Sequence, residues 1–167
     1  MNIFVTDPDP VKSAQVLPDK HIVKMPLETC QMLAIVASSE WGYNFGSLPK
    51  IDGTPYKTSK GAFRKHPCTI WAQTNWTWLI EHGLALCYEY THRYNKVHSC
   101  QSTIEHAVEI FPPQDGDPSS FAFAGLINLS MIQVLIFLQH TNVTFHLNLG
   151  QHLIICVTHL ANLVGYD

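Results

Sequence analysis

The sequence predicts a mainly α fold, a single-domain helical bundle with a short N-terminal extended arm. Three observations predict it. Apolar residues recur at helical spacing in several stretches, Gly and Pro clusters separate those stretches, and 167 residues are enough for one domain with a real core.

Asn2–Val5 is a short apolar run that reads as a strand or a buried extended arm. Asp7-Pro8-Asp9-Pro10 is a turn, because Pro fixes φ and Asp caps the helix after it. Val11–Leu17 reads as a short helix that stops at Pro18. Asp19 reads as the N-cap of a central helix running to Ser38 or Ser39, with Ile22, Met25, Leu33 and Val36 as apolar members. His21, Lys24, Glu28 and Gln31 step by three or four and so share one face. Pro26 removes a backbone donor, which predicts a kink or a fresh helix start near Met25.

Glu40–Lys65 is a loop rich in Gly and Pro. Thr69–Glu81 reads as a helix ended by Gly83, and Leu84–Lys96 as a second. Within the second, Glu89 and Arg93 form a stabilising i,i+4 pair. Ser102–Ile110 is a third, with Ser102 as N-cap and Glu105 completing a capping box. Phe111-Pro112-Pro113 ends it, and a Gly/Asp/Pro/Ser loop runs to Ser120.

The chain divides at about residue 120. Residues 1–120 carry the helical pattern, whereas the 47 residues from Phe121 contain one charged side chain, Asp167. This apolar tail reads as a membrane helix, a buried helical hairpin, or a segment outside its original reading frame. Leu126–Leu138 is short of the roughly 20 residues that span a bilayer, so no clear membrane segment emerges.

The net charge of −3 is not that of a strongly basic nucleic-acid binder. The charge is uneven, however. Lys50, Lys57, Lys60, Arg64 and Lys65 face one acid, Asp52, within the loop. Trp41, Tyr43, Phe45, Tyr56 and Phe63 are interleaved with them. That mix suits stacking on bases beside phosphate contacts. It equally describes a solvated loop whose aromatics fold back onto the core. The five cysteines are odd in number and lack a Cys-x-x-Cys pair, which points to free thiols in a reducing cytoplasm. No basic-then-apolar leader is present at the N-terminus.

Asp19, Lys20, His21, Lys24, Met25 and Glu28, then His66-Pro67-Cys68 with Trp71, then Pro112-Pro113, match the order of a family of uncharacterised phage proteins, which the first 120 residues resemble. That family ends in a charged tail. Back-translated and read one base earlier, Leu126–Asn128 permits a Pro-acid pair, Gln139–Thr144 an Ala-Tyr-Lys segment, and Asn162–Gly165 a Lys-Pro-x-Trp ending. A frameshift near Gly125 is therefore expected.

Asp19, His21 and Glu28 also reproduce a spacing that resembles the pyrimidine-dimer DNA glycosylases of the endonuclease V type, an Asp-x-His with a Glu seven residues after the His. The resemblance implies a glycosylase and AP-lyase acting on damaged or modified DNA. An N-terminal amine attacks C1′ of the nucleotide, and a Schiff base then permits strand cleavage. Glu28 takes the electrostatic role, and His21 and Lys24 contact phosphates. Lys20, Lys57, Lys60, Arg64, Lys65 and His66 become DNA contacts. The N-terminal arm is longer than the family pattern, and Asn2 disfavours removal of Met1. Lys20 or Lys24 is then the substitute imine-forming amine. No cofactor and no metal are implied, DNA is the one expected partner, and no oligomeric state is indicated.

Two other readings stand beside this one. A non-enzymatic phage accessory protein, binding a host protein or a nucleotide, fits the modest charge and the many aromatics. A metal-dependent hydrolase built on Asp19, His21 and His66 lacks a paired ligand motif and ranks last.

Overall fold

The computed structural model describes residues 1–116, 121–124, 143–149 and 153–159. Five helices form its body: α1 (Pro10–Gln15), α2 (Asp19–Ala37), α3 (Pro67–Ala72), α4 (Trp76–Tyr94) and α5 (Gln101–Ile110). The fold is mainly α. A 3-10 turn, Lys57–Lys60, interrupts the loop between α2 and α3. No helix among the described residues is long and apolar enough to cross a membrane.

α2 is the spine. α3, α4 and α5 all pack on it, and α1 packs on α4. From Met32 to Ala37 every residue is buried, so this half of the helix is surrounded. The main core joins Cys30, Met32, Leu33 and Val36 of α2 to Trp71, Trp78, Leu79 and Ile104 of its neighbours. A smaller cluster, Ala14, Leu17, Ile22, Met25, Ala85 and Leu86, fills the junction of α1, α2 and α4.

Several helix boundaries differ from expectation. Asp19 is not the N-cap of α2. Pro18 holds that position, and no side chain caps the helix. Asp19 lies inside the first turn, and its carboxylate takes Arg93 at 3.0 Å. Pro26 starts no new helix, because α2 runs unbroken through it. Packing on both sides outweighs the lost hydrogen bond there. Gly83 does not end a helix either. The break falls earlier, at Gln73–Asn75, and α4 continues through Gly83 to an αL cap at Asn95. Gly83 is needed for closeness: a β-carbon on it would come within 2.7 Å of Thr29 Cγ2 and 3.1 Å of Ile104 Cδ1. α5 begins at Gln101 with Cys100 as N-cap, and no capping box forms. Glu105 instead accepts from Gln101 Nε2 at 2.9 Å.

Arg93 ties the far end together. It donates to the carbonyls of Leu17 at 2.8 Å and Gln15 at 2.9 Å, and it pairs with Glu89 at 3.1 Å. Those carbonyls are the unsatisfied acceptors at the end of α1.

Beyond α5, strands β1 (Phe121–Ala124), β2 (Val143–Leu149) and β3 (Leu153–His159) form an antiparallel sheet in the order β1-β3-β2. Strands, not a helical hairpin, occupy these residues. Their β-branched content suits a pleated surface. The apolar run Leu126–Leu138 lies outside the described residues.

His82 lies buried in α4, stacked on Trp78 with ring centroids 4.6 Å apart. Burial pushes its pKa down from 6.5 to about 3. The folded protein keeps it neutral, whereas the unfolded chain takes up a proton below 6.5. Stability from this group is therefore complete above pH 6.5 and declines as pH falls from 6.5 toward 3. In urea melts across that window the wild type should lose stability as the pH falls, while His82→Phe keeps a flatter profile. Parallel profiles would show that His82 does not carry the acid sensitivity.

Candidate active site

The face of α2 that carries His21, Lys24 and Glu28 is covered by the N-terminal segment. Residues 1–6 adopt neither helix nor strand. Ile3 and Val5 are buried in the main core. Each such burial is worth roughly 1.5–3 kcal/mol, which pins the backbone on either side of Phe4. Phe4 stacks on His21, with ring centroids 4.3 Å apart and planes 20° apart. Ser13 of α1 completes the clamp. Its Oγ donates to the Phe4 carbonyl at 3.1 Å and accepts from the Thr6 N–H at 3.1 Å. Asp9 starts α1 in turn, accepting from the N–H groups of Val11 and Lys12.

This clamp brings the backbone nitrogen of Asn2 onto Glu28. The Asn2 N–H donates to Glu28 Oε2 at 2.5 Å. Lys24 Nζ lies 3.1 Å from the other oxygen, Oε1. Glu28 is only 6% exposed. A buried carboxylate without partners is expensive, and here both oxygens have one. The Lys24 side chain is 62% exposed, so solvent screens much of its share.

His21 is half-buried. Burial, then the neighbouring charge of Lys24, pushes its pKa down, while Glu28 pulls the other way. A neutral imidazole stacked on Phe4 is a poor phosphate cation. Its Nδ1 is buried and has no hydrogen-bond partner among the described residues. Lys20 is exposed beside it.

The structure thus gathers Glu28, His21 and Lys24 in one place. It puts the basic loop elsewhere. Arg64 stacks over Trp41 at 4.0 Å, just beyond the C-terminal end of α2. The axis rises about 13 Å from Glu28 to Ala37 at 1.5 Å per residue. Lys57, Lys60, Arg64 and Lys65 are exposed along the loop, and His66 caps α3 by accepting from the Cys68 N–H at 3.3 Å. The loop aromatics divide between core and surface, and Tyr43 is itself 51% exposed. Tyr56 is buried, and Tyr43 and Phe45 stack on each other and meet Trp76 edge-on. Phe63 points outward.

Asp19 is engaged by Arg93 and His66 by α3, so the trio Asp19, His21 and His66 is not assembled. Among the described residues, no group of three or more His, Cys, Asp or Glu could hold a metal ion. Sequence reasoning missed Asn2, Phe4 and Ser13. A backbone nitrogen has no letter of its own. The usable signal was the apolar Ile3/Val5 alternation, which places Phe4 on the opposite side.

Residues 1–102 match the family model described as pyrimidine dimer DNA glycosylase. The match covers the N-terminal segment, α1 to α4 and the start of α5, and it contains each predicted site residue. No curated protein and no solved structure matches the chain.

Phe4→Ala should free the segment, seen as faster amide hydrogen exchange at Ile3–Thr6 with little change in the α2 core. His21→Phe keeps an aromatic pair and should retain protection. Equal exchange in wild type and Phe4→Ala would mean that Ile3 and Val5 hold the segment alone.

Proposed function

The chain belongs to the pyrimidine dimer DNA glycosylase family, and from that premise we propose that it releases damaged bases with an amine held on Glu28, then cleaves the strand as a lyase. The observation that carries this reading is the Asn2 nitrogen on Glu28 Oε2. With Met1 attached that nitrogen is an amide and cannot attack. Removal of Met1 turns the same atom into an α-amine at the same place.

The chemistry then derives from the carboxylate. The amine lone pair attacks C1′ of the damaged nucleotide. The C1′–N bond breaks, its electron pair leaves with the base, and the base takes up a proton. Glu28 stabilises the positive charge that develops on the sugar and accepts the proton shed by the attacking nitrogen. Opening of the sugar ring gives an imine. Loss of a C2′ proton then expels the 3′-phosphate, and water hydrolyses the imine to free the protein. Lys24 Nζ is the second amine at this carboxylate and screens its charge. Lys20, Lys57, Lys60, Arg64, Lys65 and His66 take flanking phosphates, which position the duplex without reading its sequence.

Borohydride should trap wild-type protein on abasic DNA, with the adduct on the peptide that begins at Asn2. Glu28→Gln should lower trapping by about 10²-fold or more. An adduct on Lys24 in protein that keeps Met1 would move the chemistry to Lys24. No adduct from protein lacking Met1 would leave the accessory binding protein as the better reading.

We further read the chain beyond about residue 125 as out of its original frame. The family match ends at residue 102, ahead of the loss of charge at Phe121. Coding DNA sequenced across Ala124–Leu126 should show that a single-base change restores a charged tail. A homogeneous gene whose frame is the present one, in independent isolates, would rule this out.

A further inference from the structure

We propose that Phe63 is a base-stacking wedge, presented on a rigid cationic knuckle that grips the DNA flank away from Glu28. The proposal rests on the DNA-acting reading above and adds the element that engages the duplex at the C-terminal end of α2.

Phe63 has φ of +64°, in the left-handed region. For a bulky side chain this conformation is a genuine outlier and is strained. The ring is nonetheless 59% exposed, so core packing does not repay the strain. It meets the ring of His66 edge-on, with centroids 6.3 Å apart.

The knuckle beneath it is built. Gly61, at φ +83°, lies so close to the Trp41 indole that a β-carbon would come within 2.6 Å of Nε1. Arg64 stacks over the same indole at 4.0 Å, and its guanidinium donates to the Gly61 carbonyl at 3.4 Å. His66 N–H donates to the Phe63 carbonyl at 3.0 Å, closing the turn. An exposed aromatic on a fixed turn loses little freedom on binding.

Charge selects the occupant. Lys57, Lys60, Arg64 and Lys65 are exposed within six residues of Phe63 in the chain, and none is ion-paired among the described residues. Such cations, so near one exposed apolar ring in the chain, fit a polyanion with stacked faces, that is, a nucleic-acid duplex. The knuckle packs on Trp41, which follows the end of α2, and the helix axis rises about 13 Å from Glu28 to Ala37, so the wedge meets a flanking base step and not the reacting nucleotide.

The test is binding of full-length protein to a duplex that carries a tetrahydrofuran abasic analogue, with 2-aminopurine placed in turn along each flank. Wild type should raise 2-aminopurine fluorescence at one flanking step. Phe63→Gly relieves the strain while removing the ring. It should melt at or above the wild-type temperature, bind roughly tenfold more weakly, lose the fluorescence rise, and keep the salt dependence of binding. Lys60→Ala should lower the salt slope by about one and retain the rise. Phe63→Trp should restore both affinity and rise. Phe63→Gly that binds with wild-type affinity and fluorescence overturns the wedge alone. Wild-type protein that does not bind the duplex overturns both the wedge and the reading beneath it.

Discussion

Gly83 of α4 faces Thr29 of α2 so closely that a β-carbon there would collide with the threonine methyl, and Ile104 of α5 closes on the same spot. Three helices meet where one residue has no side chain. That contact sets the spacing between α2 and α4, and most of the core is arranged around it. Thr29 is the residue after Glu28, so the depth at which α4 seats against α2 also fixes where the carboxylate sits. At the opposite end Arg93 closes the same helix pair by satisfying the last carbonyls of α1.

The site opposes this order with a local cost. A carboxylate that is almost wholly buried loses its hydration, and one N–H and one partly solvated ammonium replace it. The fold offsets that cost with ordinary apolar packing on either side of the clamp. Ile3 and Val5 are held by the core, and Phe4 by the imidazole of His21. Rigid packing thus holds the polar contact and keeps the Asn2 nitrogen in one position against Glu28.

Periodicity made the face of the candidate site legible. His21, Lys24 and Glu28 step by helical intervals, and the helix proved continuous through them. The same local rules misread three positions. Pro26 and Gly83 were judged by propensity, but packing of neighbouring helices decided both. Asp19 was judged as a cap, yet its partner is a guanidinium 74 residues away, which no local pattern reveals. The loop shows the other limit. Its charges and aromatics are plain in the sequence, but letters do not say which rings turn inward. Tyr43 and Phe63 both stay exposed while Tyr56 is buried, and of the two exposed rings only Phe63 has a positive φ.

The clamp also bears on when the protein becomes competent. Whatever is attached to the Asn2 nitrogen lies directly over Glu28, because that nitrogen is itself the partner of the carboxylate. On the amine reading proposed above, a retained formyl group, an affinity tag or a fused domain at this end would occupy the place of the attacking nitrogen, however well the rest folds. Competence on that reading depends on cleavage of the Met1–Asn2 bond, a step that Asn2 itself disfavours and that leads into a segment held in the core through Ile3 and Val5.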